Sequence, residues 1–210
     1  MSKILIAAPV CHEYRERWQA CLDTWAGTNL CDVKLYTSED FNVPPEQNRC
    51  MTDQTGLVTR PGQDLSYRLR ELCRWALEQG YTNLFKCDDD TYVWVDRLLA
   101  SSGPEFDYLG FSHGSWHYPP FASGGAGFWL SRKSMQVIAE SELDPNRIDD
   151  VWIGERLLHA GIILIHDPRY SPVLPAVIAS NHITVHYIKD PEIMRQLHNG
   201  VTTFEAKVKA

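Results

Sequence analysis

Three consecutive carboxylates, Asp88-Asp89-Asp90, follow the run Asn83-Leu84-Phe85-Lys86-Cys87 and have the most to offer chemically. Side by side they repel one another and lose hydration if buried, so a compact chain places them in water or against a cation. An acidic turn after a strand also reads as a solvated loop. In an extended segment Asp88 and Asp90 point to one side while Asp89 points away. Such hard oxygens suit Mg²⁺ or Mn²⁺, whose octahedral shell a substrate diphosphate would complete. A second candidate ligand lies in Asn181-His182-Ile183-Thr184-Val185-His186-Tyr187, where His182 and His186 share a face if the segment is extended. An imidazole biases a site toward manganese, whereas a strand histidine alone reads as a hydrogen-bonded structural residue.

Other residues gain meaning only beside that corner. Ser123-Gly124-Gly125-Ala126-Gly127 would let backbone approach a sugar or phosphate closely, although a tight turn before a strand explains it equally. Neither a dinucleotide fingerprint nor a P-loop is present. Asp149-Asp150 reads as an N-cap with a first-turn acid, or as a general base kept ionised, and less basic, by the helix dipole. Arg15, Arg17 and Arg68 or Arg70 are candidates for a diphosphate, and Trp116, Trp129 and Trp152 for stacking on a sugar. Exposed helix arginines and core tryptophans are the plainer explanation of these residues.

The elements that must position these groups alternate between short apolar runs and amphipathic segments, the pattern of an α/β domain with a largely parallel central sheet. A first strand is expected over 3–10, then a helix from Tyr14 to Trp25 with Tyr14, Trp18, Cys21, Leu22 and Trp25 on one face. Residues 33–37 read as a strand and 38–63 as a long loop. A helix capped by Asp64 or Ser66 carries Leu65, Leu69, Leu72, Cys73 and Ala76 and stops at Gly80. The strand 83–87 then delivers the acidic triplet at its carboxyl end, where open α/β sheets bind ligands. A short helix near 95–101, strands near 107–111 and 128–131, and helices over 132–141 and from Asp149 to Gly161 follow. Strands over 162–165 and 183–188 and a helix over 190–198 complete the pattern.

The 210 residues are 44% hydrophobic and 22% charged, enough for a sizeable core, and are expected to form one domain over 1–210. A net charge of −7 argues against gripping nucleic acid through its phosphates. No uninterrupted apolar run reaches membrane length, and six cysteines without a Cys-x-x-Cys pair read as core thiols. A soluble, cytosolic chain is expected.

Read in order, Arg17 with Thr24-Trp25, Phe85-Lys86-Cys87-Asp88-Asp89-Asp90-Thr91-Tyr92-Val93, Ser123-Gly124-Gly125-Ala126-Gly127-Phe128, Asp149-Asp150-Val151-Trp152-Ile153-Gly154 and Val185-His186-Tyr187 form a series. This series resembles the Fringe and β-1,3-galactosyltransferase group over nearly the whole chain. The resemblance implies a GT-A fold and a metal-dependent, inverting transfer of a hexose or N-acetylhexosamine from a UDP-sugar to an acceptor hydroxyl. A glycan is the implied acceptor, with a β-1,3 linkage among the possibilities. It further implies that Asp88 and Asp89 lie near the donor, that Asp90 and His186 hold Mn²⁺ or Mg²⁺ with Asp88 beside them, and that Asp150 is the base. Asp149 would support Asp150, Gly124, Gly125, Ala126 and Gly127 would shape the sugar pocket, and Arg17 would lie near the nucleotide. Two other classes remain open on the residues: a metal-dependent phosphoesterase or nuclease using Asp88, Asp90 and His186, and a noncatalytic nucleotide- or glycan-binding module.

Overall fold

The first strand, β1 (Ile4–Pro9), is apolar throughout because it is covered on both sides. Leu5 and Ala7 point into one cluster with Tyr36, Leu84 and Phe128, while Ile6 and Ala8 point into another with Trp18, Phe85 and Trp129. Each large side chain buried this way contributes about 1.5–3 kcal/mol. The computed structural model of the chain describes residues 2–37, 48–50, 63–115, 117–144 and 146–204.

After β1 come α1 (Arg15–Asp23), β2 (Asp32–Thr37), β3 (Asn48–Cys50), α2 (Gln63–Glu78), β4 (Asn83–Lys86), β5 (Tyr92–Val93) and α3 (Val95–Ala100). Next are β6 (Tyr108–Gly110), β7 (Ser112–Ser115), β8 (Tyr118–Ala122), β9 (Phe128–Ser131), α4 (Arg132–Glu140) and α5 (Asp149–His159). The chain continues through β10 (Ile165–His166), β11 (Tyr170–Ser171), β12 (Thr184–Val185) and α6 (Pro191–His198). Seven strands form the main sheet in the order β10-β6-β9-β4-β1-β2-β3. It is mostly parallel, with β9 antiparallel to both of its neighbours, β4 and β6. Residues of α2, α4 and α5 pack in the Leu5 cluster, and residues of α1 and α6 in the Ile6 cluster. A second sheet, β11-β12-β5, lies beside it in the chain order, and β7 and β8 form a hairpin.

The reversed strand β9 matters most for function. A parallel sheet gathers loops at the carboxyl ends of its strands; an antiparallel insertion brings the loop before it to that same edge. Lys86 of β4 faces Phe128 of β9 in register, so the acidic triplet leaves the sheet where the glycine segment enters it.

Several sequence expectations need correcting. The helix expected from Tyr14 to Trp25 spans only Arg15–Asp23, and a 3₁₀ turn carries Trp25–Gly27. Tyr14 is not on its buried face: it is 43% exposed, with the Arg17 guanidinium 3.3 Å over its ring. The loop expected over 38–63 contains the edge strand β3, and most of the remainder lies outside the described residues. Asp64 and Ser66, the expected caps, both lie inside α2, which already begins at Gln63. The hairpin β7–β8 was not anticipated, and β10 sits later than the strand expected over 162–165. The strand expected over 183–188 shrinks to Thr184–Val185, because Tyr187 turns the chain into the left-handed region at φ 68.

Cys21, Cys73 and Cys87 are buried thiols and Cys31 is a partly buried one. Among the described residues, no helix is long and apolar enough to cross a membrane.

Candidate functional site

Beyond β4 the chain forms a tight turn closed by the Thr91 N–H donating to Asp88 O at 3.3 Å. The triplet is therefore a turn and not an extended segment, yet it separates the carboxylates as the alternation argument did. Asp88 and Asp90 approach the His186 imidazole, with Nε2 at 3.9 and 3.0 Å, whereas Asp89 faces Arg17 at 3.7 Å. One ligand-type atom from each of Asp88, Asp90 and His186 falls within 4.8 Å of the others.

His186 is aimed by its other nitrogen. Nδ1–H donates to the Pro172 carbonyl at 3.1 Å, which leaves Nε2 turned to the acids as a lone-pair donor in the neutral ring. His182 does not share this position. Its Nδ1 instead accepts the Ala179 N–H at 2.9 Å, and its carbonyl accepts from Arg97, because the strand is too short to keep the two rings aligned.

The glycine segment is the hub. Three of its carbonyls have side-chain donors: Lys86 Nζ donates to Gly124 O at 3.2 Å, Thr91 Oγ1 to Gly125 O at 2.6 Å, and Thr184 Oγ1 to Ala126 O at 2.6 Å. Buried backbone acceptors need such partners, which explains the threonines on the flanking elements. The Gly124 N–H donates to Asp150 Oδ2 at 2.8 Å. Glycine is required for room: a Cβ on Gly124 would fall 2.0 Å from Asp150 Oδ1, and one on Gly125 2.2 Å from His186 Cε1. Two adjacent residues thus touch the imidazole and the distant carboxylate, which holds those side chains within roughly 10 Å of each other.

Gly127 adds a backbone requirement, with φ +94 and its Cβ position 2.3 Å from Phe85 Cζ. Gly127→Ala should lower unfolding stability by ~1–3 kcal/mol, since it strains the backbone and overpacks a buried ring. Denaturant unfolding of the purified variant measures this, and an unchanged midpoint would contradict it.

Electrostatics sort the carboxylates. Asp90 is buried, which opposes ionisation, but the His186 and Lys189 contacts outweigh burial and hold its pKa at about 2. Asp89 goes the other way: burial pushes it up to about 7, with Asp88 and Asp90 adding to the effect and Arg17 opposing it. Burial lowers the His186 pKa, and Asp90 and Asp88 more than restore it, so the ring is raised above its ordinary value. Asp150 is pushed up to about 7, first by burial and then by Asp149, with Lys86 opposing. The expected helix-dipole effect is reversed, because desolvation and a like charge exceed what a first helical turn supplies. Ile148, not either aspartate, is the N-cap of α5.

Lys86 was missed. It is 2% exposed, with Nζ 2.7 Å from Asp88 Oδ1 and 4.0 Å from Asp149 Oδ2. Burial would lower its pKa, but Asp88 and Asp149 keep it well above its usual value, so it is a fixed positive charge between the triplet and the acidic pair. Nothing local marks it, since it ends a strand that also opens on the polar Asn83. Arg17 and Arg68 line a cleft of about 620 Å³ with Val10, Tyr14, the triplet and His186. Arg15 lines a different groove and Arg70 pairs with Glu71, so neither joins the cleft. Trp129 and Trp152 are wholly buried, bonded to Tyr170 Oη and Glu142 O, and cannot stack on a sugar. Trp116 lies outside the described residues.

No family model matches the sequence, and no curated protein matches it. Among solved structures, the chain is similar to a glycosyltransferase involved in the glycosylation of the major capsid of PBCV-1. The identity is 13% and the TM-score 0.53, over 95% of this chain and 100% of that one. The fold is GT-A. The catalytic domain of Drosophila beta1,4galactosyltransferase 7, solved with xylobiose, also aligns, at 14% identity and a TM-score of 0.49 over 98% of this chain and 76% of that one. In this GT-A chain the acidic turn, the glycine segment and the cleft share the edge where the parallel strands β1 and β4 end.

Proposed function

We propose that the chain is a metal-dependent, inverting glycosyltransferase that moves a hexose or N-acetylhexosamine from a UDP-sugar to an acceptor hydroxyl. The observation that carries this reading is the meeting of Asp88, Asp90 and His186, remote in sequence, beside a cleft of about 620 Å³. That volume is within the range of small-molecule sites. The GT-A fold supports it, and the order of the sequence motifs supports kinship with the Fringe and β-1,3-galactosyltransferase group.

Two carboxylates and one imidazole whose Nε2 faces them are a donor set that fits Mn²⁺ or Mg²⁺ once that nitrogen gives up its proton, and Asp88, Asp90 and His186 would hold the ion. When bound, it would supply positive charge to the leaving diphosphate. Arg17 and Asp89, which line the cleft together, would contact the nucleotide. Gly124 to Gly127, which do not line that cleft themselves, would shape the sugar pocket through Asp150 and His186, the side chains that Gly124 and Gly125 pack against. Asp150 takes the proton of the acceptor hydroxyl as that oxygen attacks the anomeric carbon from the face opposite the diphosphate, and one displacement inverts the configuration. Its Oδ2 is held by Gly124 N–H, leaving Oδ1 for the proton. Lys86 and Asp149 fix the charge behind it.

A glycan acceptor, with β-1,3 linkage, is part of the reading; net charge −7 disfavours nucleic acid. Action in the cytosol is also part of it, supported by the thiols Cys21, Cys31, Cys73 and Cys87. So is a single domain over 1–210. The test is a UDP-sugar panel with Mn²⁺, Mg²⁺ or EDTA, with and without glycan acceptors. Metal-dependent UDP release that an acceptor accelerates is expected. Hydrolysis of generic phosphate esters, or donor binding with neither hydrolysis nor transfer, would overturn it.

A further inference from the structure

Asp90 holds three nitrogen groups at once. His186 Nε2 stands at 3.0 Å and Arg17 Nη1 at 3.4 Å, and the Lys189 ammonium sits directly on Oδ2. The first two are built in. His186 is pinned to the Pro172 carbonyl, and Arg17 is largely buried against the Tyr14 ring. Lys189 differs, because its backbone is fixed while its head reaches Asp90 from the solvent side. The preceding residue, Ile188, is fully buried, and its N–H donates to Asp90 O at 2.9 Å, so the lysine root is tied to the acid it pairs with. Between His186 and Ile188, Tyr187 is held at φ 68, a conformation that a bulky residue keeps only when its surroundings impose it. That bend sends Lys189 back over the Tyr187 ring, 4.2 Å from its centroid, toward the triplet. The side chain itself is 53% exposed.

Charge balance gives this arrangement a purpose. Asp88 already has Lys86, and Asp89 and Asp90 share Arg17. A divalent ion entering such a corner meets acids that are already neutralised, unless one cation leaves. Of the cations present, Lys189 has the exposed head and the flexible stem that let it move, so it can leave the buried Asp90 for solvent when another cation takes its place. It also lines the same cleft as Arg17 and Arg68, where diphosphate oxygens would lie.

Resting on the metal-dependent reading above, we propose that Lys189 is an exchangeable cation. It neutralises Asp90 in the free protein, competes with the divalent ion for that carboxylate, and binds diphosphate oxygens once the donor is present. Its removal therefore has opposite effects on the two ligands. In Lys189→Met, Mn²⁺ binding to the protein without nucleotide, read by electron paramagnetic resonance of the free ion, should tighten about threefold to tenfold. UDP binding at saturating Mn²⁺, read by calorimetry, should weaken about tenfold. Lys189→Arg keeps the charge and should stay near wild type in both. A general loss of structure would weaken both ligands together, so the opposed signs are diagnostic. Wild-type binding of Mn²⁺ with no tightening in Lys189→Met, or with UDP affinity unchanged, overturns the role of Lys189 alone. Failure of the wild type to bind Mn²⁺ overturns the metal-dependent reading and this inference with it.

Discussion

Asp150→Asn should lower turnover by ~10²–10⁴-fold while leaving UDP-sugar binding near wild type, because a positioned base acts on the acceptor and not on the donor. The amide is nearly isosteric, and its oxygen can still accept the Gly124 N–H that Asp150 Oδ2 accepts at 2.8 Å, so the glycine segment stays in place. The pH profile gives a second readout. With its pKa pushed up to about 7, Asp150 is ionised above that pH and protonated below it. Wild-type kcat/KM should therefore fall as pH drops through about 7, and the variant should lack that limb. The stability sign runs the other way. A carboxyl with a raised folded-state pKa binds its proton more tightly in the native state, so it favours folding at acid pH and loses that contribution as pH rises toward 7. Asp150→Asn should be at least as stable as wild type at neutral pH. A variant that turns over normally would remove Asp150 from the role.

Asp90→Asn should abolish the stimulation of UDP release by Mn²⁺, a loss on the order of 10²–10⁴-fold. Asp90 meets His186 at 3.0 Å and stays ionised, with its pKa held at about 2, whereas an amide brings no charge to the ion. Metal must also displace a proton from His186, which the neighbouring acids hold more tightly than usual, so Mn²⁺ binding should strengthen as pH rises. Stability changes too. Held at about 2, well under the usual ~3.9, Asp90 favours the folded state above ~pH 4 by about 2–3 kcal/mol, and loses this as pH falls through about 2. The variant lacks that contribution, so its urea midpoint at pH 7 should fall relative to wild type. Unaltered metal stimulation in Asp90→Asn would move the site elsewhere.

The acidic triplet was legible because an apolar run announces a buried strand, and a strand end in an α/β sheet is where ligands sit. The glycine segment and His186 were legible only as a set with it, since glycines before a strand and a strand histidine have ordinary uses. What could not be read depends on partners far apart in the chain. Lys86 is unremarkable until Asp149, 63 positions later, is folded to within 4.0 Å. Lys189 depends on the left-handed bend at Tyr187, which a period-two pattern over 183–188 does not announce. Trp129 and Trp152 looked available because aromatic residues carry no mark of the side they face. Their full burial is decided by the strand and helix that hold them. The effect of burial on Asp150 was hidden for the same reason: the helix position is local, whereas Asp149, Lys86 and the glycine segment that surround it are assembled by the whole sheet.

The pairing of Lys86 with Phe128 also bears on how the protein matures. A shift of β9 by a single residue would swap its two faces, driving Trp129 to the side of Phe128 and carrying the glycine hub away from the acidic turn. Under the proposed function, transfer activity would then report on strand alignment: misaligned molecules would retain most of their secondary structure yet lose that activity. In a refolded preparation, the ratio of active sites to total protein would measure the fidelity of that one pairing step.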